Sequence, residues 1–201
     1  MTALRVVALR LWWIGLARGL LALALGAILL ARPLDAAWAV AGVAVYWLAD
    51  GALVTWAAVV ARRHGLGGWL LLGRGVAGVL VGLVLAALPV QALVPGARPF
   101  AVVSFIVVLP IVLLLAAVHT VWAVTMEIAV WLRLRGEFPG DWSGLVAAGW
   151  VAVTGIAVWL MALQLASARA FGLLAAVAGA VLVYHALQRR AAGTSPAPIT
   201  S

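Results

Sequence analysis

The sequence predicts an all-α membrane protein: six transmembrane helices laid out as three tandem, parallel helical-hairpin repeats. Three observations predict it. First, the 201-residue chain is 68% hydrophobic and only 9% charged, with mean hydropathy +1.24, whereas a soluble domain carries about 25% charged residues. So little polar material cannot cover a water-facing surface, and the bilayer is the solvent that accepts the rest. Second, six apolar runs, near 9–31, 37–61, 69–90, 101–132, 142–164 and 168–188, reach the length of about 20 residues that a span needs. Third, a residue set recurs. Trp13, Arg18-Gly19, Gly26 and Pro33 return 56 positions later as Trp69, Arg74-Gly75, Gly82 and Pro89. Trp142 and Gly155 keep the spacing of Trp13 and Gly26, with Ala147 where the arginine would stand. A two-span unit re-enters from its starting side, so such repeats are parallel.

Taken in order, the first run follows Arg5 and Arg10 like a secretory leader, but it outruns the usual leader core. The same pattern recurs mid-chain, so it reads as a retained helix. Turn signals then separate the spans: Arg32-Pro33-Leu34-Asp35, Arg62-Arg63-His64-Gly65, an enlarged loop after Pro89 with Pro95-Gly96-Ala97-Arg98-Pro99, and Arg133 to Asp141. The fourth run is longer than a span requires and contains Pro110, which predicts a tilt, a kink or a protruding end. The expected organisation is one domain over 1–190, with repeats at about 9–62, 69–135 and 142–190. A disordered cytoplasmic tail is expected over 191–201, where Gly193, Pro196 and Pro198 cluster.

The net charge is +8, and all thirteen basic residues are arginine. They stand singly or in pairs between apolar runs, which argues against nucleic acid as a partner and points to the bilayer itself. Arg5, Arg10, Arg62, Arg63, Arg133, Arg135, Arg189 and Arg190 fall on one side, and Arg32, Arg98 and Arg169 on the other. Retention of arginine in the cytoplasm then places both termini there. The chain has no Cys, which removes disulfides, thiol catalysis and Cys-based metal sites.

Four ionisable residues fall inside spans: Arg18, Asp50, Arg74 and Glu127. A charge at the centre of a membrane helix costs roughly 2.5–3.5 kcal/mol on insertion scales, so each needs a partner or a reach to the interface. Their signs balance, and depth counting at about 1.5 Å per residue puts all four in the cytoplasmic half. One buried network is expected. It reads either as structural pairing that fixes helix neighbours or as a proton- or ion-responsive cluster, and arginines so shallow also have the option of snorkelling. His119 falls near mid-membrane as a candidate relay or ligand, although a lone intramembrane His more often hydrogen-bonds a neighbouring helix. His64 and His185 read as interfacial. The three histidines make no metal set, and no cofactor is expected. Trp12, Trp13, Trp69, Trp131 and Trp142 read as interfacial anchors. Gly15, Gly19, Gly26, Gly78, Gly82 and Gly155 read as helix-packing positions, within the bundle or at a homo-oligomer contact. No nucleophile elbow, paired carboxylate motif, His-x-x-x-His or phosphate loop is present, so no enzymatic activity is expected.

The Trp, Arg-Gly, mid-helix Gly and closing Pro of the odd helices, with Asp50-Gly51 and terminal Arg62 on an even one, resemble the HdeD family of short multi-pass bacterial membrane proteins. The resemblance covers roughly residues 9–190. It implies the six-span fold, a bacterial inner-membrane location, and a role in acid stress or as an accessory to a partner complex in the membrane. The alternative is a small proton or ion channel or transporter using the charged cluster, and a weaker one is a pigment- or quinone-binding subunit using His119.

Overall fold

The computed structural model describes residues 3–31, 36–66, 68–93, 98–136, 138, 141–162 and 168–194. It is all-α, with no strand among the described residues. The helices are α1 (Ala3–Arg10), α2 (Trp12–Ala31), α3 (Ala36–Arg63), α4 (Trp69–Leu93), α5 (Arg98–Leu134), α6 (Ser143–Ala162) and α7 (Ala168–Thr194). A turn at Leu11 sets α1 apart from α2. Helices α2 to α7 are each long and apolar enough to cross a membrane.

Two helix ends differ from expectation, and the long fourth run keeps its length as one helix. Helix α4 does not close at Pro89 but continues to Leu93, which shortens the loop expected after it. Helix α5 runs unbroken through Pro110; inside a membrane bundle, neighbouring groups re-satisfy the backbone that proline frees. At 37 residues α5 is about 55 Å long, against a hydrocarbon core of about 30 Å, and its stretch Pro110–Leu134 is long and apolar enough to cross it. Helix α7 extends to Thr194, through the first residues of the expected tail. The rest of that tail, 195–201, the expected turn at 32–35 and residues 95–97 of the turn expected at 95–99 lie outside the described residues, whereas Arg98 and Pro99, expected in that turn, open α5. Between α3 and α4 the turn uses Gly65 at φ 72° and Gly68 at φ 95°, a backbone region that glycine enters without penalty.

The closest helix pairs are α3 with α4, α2 with α7, and α5 with α6. Two of these seams are built on glycine. A Cβ on Gly179 would stand 2.7 Å from both Gly19 O and Leu23 N, and one on Gly26 2.7 Å from both Gly172 O and Ala176 N. On the other seam a Cβ on Gly51 would meet Gly75 O at 2.7 Å and Val79 N at 2.6 Å, while one on Gly82 would meet Leu48 N at 2.9 Å and Ala44 O at 3.0 Å. Residues of α2 and α4 thus match at an offset of 56, and those of α7 and α3 at 128, around the same antiparallel contact. The third pair sets Gly155 against the Thr120 side chain instead of against backbone. Small residues let helix backbones approach where lipid supplies no hydrophobic drive. Gly15 faces Ala186 across the α2–α7 seam, and Gly78 meets Gly51 and the His119 ring. Inside, Leu29, Val43, Trp47, Leu85, Val112 and Val158 form the apolar core.

Candidate functional site

The seams aim the charged side chains. Arg18, Asp50 and Arg74 each directly precede a seam glycine: Gly19, Gly51 and Gly75. Successive residues lie about 100° apart around a helix. With the glycine pressed on the neighbouring backbone, the preceding side chain turns toward the bundle interior. Glu127 arrives from α5.

The four meet in a closed ring. Arg18 donates from Nε to Asp50 Oδ1 at 2.5 Å and from Nη2 to Glu127 Oε1 at 2.8 Å. Arg74 Nη2 lies 3.1 Å from Asp50 Oδ2 and 3.0 Å from Glu127 Oε1. Each guanidinium touches both carboxylates, so four helices are tied at one level and the formal charges cancel. All four residues are buried, Arg74 at 1% exposure. Neither arginine reaches the surface, so snorkelling is not how this chain meets the cost of burial. Paired, hydrogen-bonded charges are the form in which ionisable groups persist in low dielectric.

One turn beyond Arg74, the His119 ring packs at Gly78 and stands edge-on to Trp47, with centroids 5.3 Å apart. The expected hydrogen bond to a neighbouring helix is missing at Nδ1, which has no partner among the described residues. Trp47 Nε1 donates to Thr154 Oγ1 at 3.1 Å, and that hydroxyl donates to Val151 O at 2.8 Å. Tyr46 meets Trp150 edge-on at 5.6 Å, and Trp150 stacks on Phe171 at 5.3 Å. Arg74 Nε is also buried without a partner. A polar layer with unused donors and acceptors therefore adjoins the ring. Among the described residues no three His, Asp or Glu side chains group as metal ligands.

A second polar cluster was not singled out in the sequence. It lies where the α5–α6 connection meets the end of α7. Asp141 accepts from Ser143 N at 2.9 Å, which caps α6, and from Arg189 Nε at 2.6 Å. Arg189 also donates to Ser143 Oγ at 2.5 Å, and Trp131 Nε1 to Asp141 O at 2.9 Å. Burial opposes ionisation of Asp141, but the Arg189 guanidinium and the Ser143 hydrogen bonds outweigh it and hold the carboxyl below its ordinary range. His185, at the same end of α7, is 8% exposed, with Nδ1 3.7 Å from Asp141 Oδ1. His64 is exposed on the α3–α4 turn, its Nδ1 2.9 Å from Val60 O. The capping contact alone is local; Arg189 is 48 residues away, and no short motif announces such a clamp. Among the tryptophans, Trp69 and Trp142 are exposed while Trp47 and Trp150 are buried, and Arg190 lies 5.1 Å over Trp12. Compared with known proteins, the chain matches no family model, no curated protein and no solved structure.

Proposed function

We propose that this chain is a non-enzymatic, HdeD-like protein of the bacterial inner membrane, serving acid-stress resistance or supporting a partner complex. Both termini lie in the cytoplasm, and the fold is one helical hairpin used three times. The equal register of the α2–α7 and α3–α4 seams supports the repeat, and the arginine asymmetry supports the orientation. The observation that carries the functional reading is the closed ring: Arg18, Asp50, Arg74 and Glu127 satisfy one another. A site that works on a transported ion keeps a charge available to it; here each is already engaged by two opposite charges.

The second reading, a small proton or ion route, draws on the unpartnered His119 Nδ1 beside that ring. Proteoliposomes under a pH gradient separate the two. Structural pairing predicts proton leak equal to protein-free vesicles, together with a fall in folded Glu127→Gln protein in membranes. Proton flux in the wild type that Glu127→Gln or His119→Ala abolishes at normal yield would establish the second reading. For the physiological role, deletion in the native host is expected to lower acid survival, with rescue by the wild-type chain.

A further inference from the structure

On the outer face of the bundle, α3 and α4 enclose an apolar groove of about 370 Å³, within the size range of small-ligand sites. Thr55, Trp56 and Val59 line one wall and Val76, Val79 and Leu80 the other. The Thr55 hydroxyl is spent on Gly51 O at 2.8 Å, so the groove asks for nothing polar. Trp56 is 56% exposed, and its indole forms an open flank.

Both walls end in basic and aromatic side chains. Positions 52, 56, 59 and 63 follow one face of α3, so Arg63 stands one turn beyond Val59. Positions 69, 72, 76 and 80 follow one face of α4 and begin at Trp69, which is 67% exposed. The Arg62 guanidinium lies 3.5 Å over the Trp69 ring. Arg62 and Arg63 are exposed, and among the described residues neither takes part in an ion pair. From Ala52, at the inner end of the groove, to Arg63 is eleven residues, about 16 Å along the helix. That is half of a hydrocarbon core of about 30 Å. The lined groove covers about 10 Å of α3, from Ala52 to Val59, and Arg62 and Arg63 follow within about a turn; together they have the outline of one lipid, acyl chain below and anionic headgroup above. A symmetric second copy seated here would bring its own Arg62 and Arg63 against these, like charge on like.

We propose that the α3–α4 groove with Arg62 and Arg63 is a binding site for an anionic diacyl phospholipid. Basic side chains near a membrane surface favour anionic lipid by roughly fivefold each. The test uses the full chain in phosphatidylcholine bilayers that contain a minor fraction of either phosphatidylglycerol or phosphatidylcholine with brominated acyl chains. Bromine quenches tryptophan at contact range, and the Trp56→Phe variant isolates the contribution of Trp56. Brominated phosphatidylglycerol should quench Trp56 several-fold more than brominated phosphatidylcholine. Arg62→Gln/Arg63→Gln, both at exposed positions, should fold normally and equalise the two. Equal quenching in the wild type would overturn the proposal, as would selectivity that survives the double substitution. Inorganic phosphate in the buffer should leave the selectivity intact; its loss would make this a free-anion site and likewise overturn the lipid assignment.

Discussion

Arg74 stands to lose most from any change at the ring, because it is almost wholly buried and touches both carboxylates. Glu127→Gln would leave two guanidiniums to Asp50 alone, and an uncompensated buried charge costs about 3–5 kcal/mol. Thermal denaturation in mild detergent should show that loss, or the variant should fail to accumulate. Arg18→Met/Glu127→Gln restores balance around an Arg74–Asp50 pair and should lose less than the two single changes together; strict additivity would mean that the pair is not coupled. The charges themselves were legible in the sequence, since each stands out against an apolar run and their signs balance. Which met which was not, because Arg18 and Glu127 are 109 residues apart. At Asp141 the sign of a pH effect follows from the depressed carboxyl. A carboxyl held lower when folded than when unfolded contributes stability in full above the ordinary aspartate value of 3.8. That contribution is lost as pH falls through the still lower folded value. Protection of the amides at the start of α6, corrected for the intrinsic exchange rate at each pH, should therefore stay high at neutral pH and fall only in strong acid. Asp141→Asn should lower it at neutral pH as well.

At the scale of helices, the glycines divide by what faces them. A Cβ at Gly179 meets α2 backbone from two directions. Gly179→Ala should separate α2 from α7 and lower the thermal midpoint, with a loss of about 1–3 kcal/mol. Gly149 lies within α6 with open space beside it. Gly149→Ala should be neutral or should stabilise by up to about 1 kcal/mol. A fall at Gly149 equal to that at Gly179 would contradict the assignment of the seams. The six glycines read from spacing all lie at helix contacts, but their partners Gly51, Gly172 and Gly179, and Gly75 opposite Gly51, were not among the expected packing positions. A Gly-x-x-x-Gly spacing marks one side of a seam; the opposite side is written on another helix, at a distance set by loop lengths. The helix ends at Leu93 and Thr194 were missed for a related reason. Proline and glycine weaken a helix in water, yet a bundle in lipid holds backbone that water would release.

For the molecule as a whole, the pairing of α2 with α7 closes the bundle into a ring of helices. The chain has no cysteine of its own, so the closure is open to a clean test. An ideal Cβ at Gly15 stands 3.6 Å from Ala186 Cβ, within the 3.5–4.5 Å typical of a disulfide. Gly15→Cys/Ala186→Cys should oxidise to an intramolecular bond, read by mass and by a raised thermal midpoint. Persistent free thiols would count against the closure. The six-span outline was readable from hydropathy alone, whereas the ring order was not, since adjacent hairpins and sequential neighbours share the same apolar pattern.

The same ring has a consequence in time. Arg18 enters the membrane early, and the residue that completes its pairing, Glu127, is synthesised 109 positions later. Two guanidiniums share one carboxylate inside the lipid over the 53 positions from Arg74 to Glu127, roughly 3–10 s at 5–20 residues per second. The nascent protein must be sheltered over that interval, by the insertion machinery or by water drawn in beside it. Slowing translation between codons 74 and 127 should lengthen the exposure and raise degradation of a chain whose finished form is unchanged.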